Sequence, residues 1–81
     1  MTLREQILKE LHEQDAIVSR EIKKCDDQIS AESFAMSAIT GGPLATAARS
    51  ACQARIDASR NLKNKLEREN AWVSEMLAKY K

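Results

Sequence analysis

One histidine, two cysteines and a run of cations are the only side chains in this chain whose chemistry invites a function. His12, the single imidazole, stands between Leu11 and Glu13. A zinc site takes four ligands, and a partner set drawn from Glu13 and two remote cysteines cannot gather around it on a rod. Hydroxyl nucleophiles need a shaped pocket and oxyanion donors, which a chain of long helices does not provide. Gly41-Gly42 is too short to cradle a phosphate and lacks the following Lys-Ser/Thr. No catalytic, metal or cofactor site is expected, and the chain does not read as an enzyme.

The cations carry the one alternative chemistry. Arg49, Arg55, Arg60, Lys63, Lys65 and Arg68 lie along the second half and could face the phosphates of RNA or DNA. Asp57, Glu67 and Glu69 interrupt the run, no aromatics are interleaved for base stacking, and the formal net charge is +1. A solvated basic face balancing an acidic first half is the preferred reading. Residues 1–40 hold five Arg/Lys against eight Asp/Glu, net −3; residues 41–81 hold eight against four, net +4. Halves of opposite charge favour folding back on one another.

Cys25 and Cys52 are read as buried, reduced thiols. Both fall on apolar stripes, where a free cysteine behaves as a small hydrophobe. An antiparallel fold about residues 41–42 would hold them about 6–8 Å apart along the axis, awkward for a disulfide.

The elements that position these groups follow from Gly41-Gly42-Pro43. It holds the only Gly and Pro in 81 residues and sits at the midpoint. The arms it divides predict an all-α, coiled-coil-like antiparallel hairpin in a single domain over 1–81: helix 1 about 2–38, a turn at 39–43, and helix 2 about 44–80. Gly41 is expected to close the first helix in the left-handed conformation, with Pro43 opening the second.

Helix 1 starts with a capping box, Thr2-Leu3-Arg4-Glu5. Its seam follows as Leu8, Leu11, Val18, Ile22, Cys25, Ile29 and Met36, at the three- and four-residue steps of a heptad repeat. Asp15 and Glu32 interrupt that seam and are expected to reach the rim and hydrate. Phe34 falls outside it. Either the helix changes phase near Ser30–Ser33, with Ser30 capping a second segment, or Phe34 is an exposed contact residue; the phase change is preferred. Met36, Ile39 and Leu44 would then plug the turn.

Helix 2 opens with small seam residues at heptad spacing, Ala45, Cys52 and Ser59, and continues with Leu62, Leu66, Val73, Met76 or Leu77, and Tyr80. The spacing predicts arms close together at the turn and wider at the free ends, near Trp72. Glu5–Lys9 and Glu75–Lys79 are spaced for i,i+4 pairs, and Lys79 and Lys81 suit the negative end of the helix dipole.

A two-helix hairpin buries one stripe per helix. Leu3, Ile7, Ile17, Trp72 and Leu77 lie on flanking edges, with Phe34 a separate candidate near the turn. Each large aliphatic left wet forgoes about 1.5–3 kcal/mol. That deficit favours a partner, the chain itself as a dimeric four-helix bundle or another helical protein, over edges that merely widen the intramolecular seam with Lys and Arg stems covering the rest. The expected role is a non-enzymatic adaptor, chaperone or regulator, with Trp72 as anchor. Charges recur too often for a membrane span, and the expected location is cytoplasmic.

Overall fold

A computed structural model describes residues 1–80 as two α-helices packed side by side, α1 (Leu3–Ala38) and α2 (Ala45–Tyr80), in a body of 64 × 15 × 13 Å. The hairpin is antiparallel, so the two free ends meet, where Arg4 Nε donates to the Tyr80 carbonyl oxygen at 2.7 Å. No described helix is long and apolar enough to cross a membrane. Lys81, the expected C-terminal cation, lies outside the described residues.

The first helix begins at Thr2 as expected, with the N-cap half of the capping box formed and no bond from the Thr2 amide to the Glu5 carboxylate among the described residues. Thr2 has extended backbone, and its Oγ1 accepts from the Glu5 amide at 3.2 Å. That bond satisfies one of the free donors of the first turn. Beyond it, α1 runs unbroken to Ala38. The phase change near Ser30–Ser33 does not occur, and Ser30 caps nothing. Serines are weak helix formers but are accommodated here. Ser37 Oγ, for example, donates to the Ser33 carbonyl one turn back at 3.0 Å. Phe34 is therefore left on the outside of a continuous helix, 78% exposed.

The turn differs in detail from the expectation. Gly42, not Gly41, has a positive φ, at +119°. Helix α2 starts two residues after Pro43, with the Ala45 amide bonded to the Gly42 carbonyl and Ala48 to Leu44. Ile39 ends α1 by returning its N–H to the Met36 carbonyl, and Arg49 reaches across to donate to the Ile39 carbonyl at 2.9 Å. That bond satisfies a terminal acceptor that α1 itself cannot. Met36 and Ile39 are half-buried, but Leu44 is 76% exposed and takes no part in a plug.

The core is narrow. Leu11, Val18 and Cys25 of α1 meet Cys52, Ile56 and Val73 of α2, each essentially out of solvent. These sit at heptad spacing, as a two-helix seam requires. Between them the α2 seam runs through Ser59, Lys63, Leu66 and Asn70, all half-buried, whereas Leu62 is half exposed and lies outside it. Periodicity alone passes over Lys63 and Asn70 because they are polar. Both thiols are free and buried. Cys52 Sγ accepts from Arg55 Nη2 at 3.4 Å, beside the Arg55–Glu32 pair, while Cys25 lies near Lys63. The seven residues from Cys25 to Glu32 on α1 put the sulfurs on the order of 10 Å apart along the axis, farther than the turn-centred estimate.

Candidate interaction surface

Two polar groups in the seam are neutralised rather than hydrated. Glu32, with only 14% of its side chain exposed, accepts from Arg55 Nε at 2.7 Å and from Gln28 Nε2 at 3.1 Å. It does not reach the rim. The Arg55 hydrogen bond, reinforced by the neighbouring Cys52 thiol and by the Arg55 charge, holds its carboxyl below the usual value against the opposing pull of desolvation. Lys63 Nζ lies 2.6 Å from Asp26 and 3.8 Å from Glu67, and the Asp26 bond raises its pKa. Asp15 is half-buried. Among the described residues the i,i+4 pairs Glu5–Lys9 and Glu75–Lys79 are not formed; the i,i+3 pair Glu21–Lys24, at 3.1 Å, and the i,i+4 pair Lys63–Glu67, at 3.8 Å, are.

These cross-helix bonds identify the two broad sides of the hairpin. Gln14 Nε2 donates to Glu69 Oε1 at 2.7 Å over one side of the seam, and Asp26, Lys63 and Glu67 meet over the other. On α1 the Gln14 side collects the residues just before, and three after, each of Leu11, Val18 and Cys25. On α2 it collects those flanking the seam in the same sense. This side carries Leu3, Ile17, Leu44, Leu62 and Trp72, all exposed, together with the half-buried Ile7 and Met76. Among the described residues, the Asp26 side carries nothing apolar larger than alanine within either helix, from Glu5, Lys9 and His12 on α1 to Asn64, Ala71 and Ser74 on α2. The hairpin is one-sided.

The expected partner residues therefore divide. Leu3, Ile17 and Trp72 share the apolar side, at 74% exposure for Leu3 and 54% for Trp72. Ile7 joins Leu3, Arg4, Lys79 and Tyr80 around an open depression of about 480 Å³ at the free ends. Leu77 is half-buried at a seam position, and Phe34 stands apart on the outer edge of α1. Leu44 and Leu62 complete the side. Reading them as plug and seam hides them; admitting Lys63 and Asn70 to the α2 seam exposes both.

Around the turn, the surface loses its charges. From Ser30 to Ala54 only Glu32 and Arg49 are charged, and both are turned to partners within the fold. Exposed Ala31, Ala35, Ala38, Ala47 and Ala51 surround Phe34 and Leu44 there.

The α2 cations do not form one strip. Arg49, Arg55 and Lys63 are bonded to Ile39, Glu32 and Asp26, respectively. Arg60 lies on the Asp26 side, Lys65 on the Gln14 side and Arg68 on the outer edge. Among the described residues no three potential metal ligands gather.

The chain matches no protein-family model, no curated protein and no solved structure.

Proposed function

We propose that this chain is a non-enzymatic helical interaction module, of the adaptor, chaperone or regulator kind. It works by laying the apolar side of the hairpin against another helical surface. The observation that carries this reading is the segregation of Leu3, Ile17, Leu44, Leu62 and Trp72 on one broad side, opposite a described surface with nothing apolar beyond alanine. Exposed large apolar side chains gathered on one side, interspersed with polar ones such as Gln14, Glu21, Lys65 and Glu69, suit a protein contact better than the same residues spread evenly around the hairpin. Trp72 is the anchor, since tryptophan contributes disproportionately to interface energy.

The test is a triple variant, Ile17→Ser, Leu62→Ser and Trp72→Ser, compared with the parent for helicity and for association, with itself or with helical proteins of the native host. The expected result is retained helicity with association lost. Association undiminished in a folded triple variant would reject the apolar side. Nucleic acid co-purified at low salt and released by Arg60→Ala/Lys65→Ala would point instead to the α2 cations.

A further inference from the structure

The apolar side runs the length of the hairpin, and that length constrains what can cover it. The body measures 64 × 15 × 13 Å, and the apolar side is one of its long faces. A face of that extent is of the same order as the roughly 800 Å² per partner of a standard stable interface. Its apolar residues form a second stripe on each helix, parallel to the buried seam. Ile17 and Leu3 lie two heptads apart on α1, while Leu44, Ala51, Ala58, Lys65 and Trp72 recur every seven residues on α2. A covering surface must therefore offer two antiparallel helices of the same length and repeat. A second copy of this chain does.

Two two-fold arrangements bring the apolar sides face to face. In one the axis runs along the hairpin, turns lie beside turns, and each α1 covers the α2 of the other copy. In the other the hairpins run head to tail, and each α1 covers the other α1. Charge separates them. The first sets an arm of net −3 on an arm of net +4, twice; the second sets −3 on −3 and +4 on +4. Glu21 and Lys65 both lie on the apolar side. Lys65 has no ion-pair partner among the described residues, and Glu21 has only the neighbouring Lys24. With turns aligned, Glu21 comes level with Lys65 of the second copy.

Resting on the interaction-module reading above, we infer that the occupant of the apolar side is a second copy of the chain. The product is a two-fold four-helix bundle with its turns at one end, its four termini at the other, and Glu21–Lys65 pairs across the interface. Phe34, on the outer edge of α1, stays uncovered in this bundle. It leaves two aromatic contact points flanking the uncharged tip.

The experiment uses the full chain labelled only at its α-amine, one batch with a donor fluorophore and one with an acceptor, mixed and read alongside light scattering over a concentration series. Aligned turns place the two N-termini within about two helix diameters, giving strong energy transfer at dimer mass. Head-to-tail pairing separates them by nearly the 64 Å length of the body. Dimer mass with weak transfer would overturn the arrangement. Monomer mass throughout would overturn self-pairing, while leaving the triple variant above to decide on its own whether the apolar side binds anything.

A charge exchange gives the second readout. Glu21→Lys alone should weaken the dimer about fivefold or more, and Glu21→Lys with Lys65→Glu should recover it. Neither residue is buried in the seam, so the hairpin itself should persist. Equal weakening in the single and double variants would exclude the pairing.

Discussion

Arg55 of α2 and Glu32 of α1 are joined at 2.7 Å across a seam that is otherwise mostly aliphatic and small. Glu32 is the more enclosed partner, and its second contact, from Gln28, fills another acceptor site. The bond ties the helices together at the border of the charge-poor segment around the turn, where Cys52 and alanines offer little bulk to hold them. A polar pair at such a position fixes helix alignment more than it adds stability.

This pair makes the stability depend on pH in a definite direction. Glu32 has its folded pKa lowered from 4.5, chiefly by the Arg55 hydrogen bond. A lowered folded pKa contributes stability above the unfolded value, and that stability is lost as pH falls through the folded one. Lys63 is the mirror case: raised from 10.5 mainly by its Asp26 hydrogen bond, it contributes below that value and loses the contribution as pH rises through the folded pKa. Glu32→Gln should therefore lower Tm at neutral pH, with the gap to the parent closing in acid below pH 4.5. Thermal melts by circular dichroism read both. A gap constant from neutral to strongly acidic pH would mean that the ionised carboxylate is not what the seam uses.

The two glycines of the turn should respond oppositely to alanine. Gly42, at φ +119°, occupies backbone space that L side chains rarely enter. Gly42→Ala should destabilise by about 1 kcal/mol or more. Gly41 has no positive φ, and a methyl group there would meet nothing within 4 Å. Gly41→Ala should be neutral or stabilise by about 0.4–1 kcal/mol, by narrowing the unfolded ensemble. Urea melts of the pair test this; equal effects would place the turn strain elsewhere.

Asn70 is a half-buried polar residue of another kind. Its Oδ1 is enclosed and has no hydrogen-bond partner among the described residues, at a seam position where an aliphatic would pack. An unsatisfied buried acceptor costs about 1–3 kcal/mol, so Asn70→Leu should raise stability by an amount of that order. Denaturant midpoints with unchanged m-value check it. A loss of stability would mean that the amide is satisfied in solution.

The hairpin was legible because helix and turn signals agree: a capping box at Thr2, 36-residue arms without Gly or Pro, and one Gly-Gly-Pro between them. What escaped was local. Phe34 suggests a phase change because an exposed aromatic looks costly, yet a continuous helix needs only one stripe buried. Leu62 outranks its neighbour Lys63 for the seam because periodicity arguments put aliphatics first. A lysine can hold a seam position when its stem packs and its ammonium reaches Asp26 and Glu67. The same substitution of polar for apolar residues in the α2 seam conceals the one-sidedness of the surface, because it moves Leu62 from inside to outside.

Trp72 and Val73 are chain neighbours with opposite duties, and this makes a paired test. Val73 is fully buried. Val73→Ala removes packed methyls and should destabilise the hairpin by about 2 kcal/mol. Trp72 is 54% exposed on the apolar side, so its removal opens no comparable cavity in the core. Trp72→Ala should keep most of the helicity and weaken association by more than about 1 kcal/mol. Measured by circular dichroism and by concentration-dependent light scattering, the two variants should separate, Val73→Ala shifting the melt and Trp72→Ala shifting the mass. If Trp72→Ala instead abolishes the helical signal, the indole belongs to the fold. The apolar side would then lose its anchor, leaving Ile17 and Leu62 to be tested in its place.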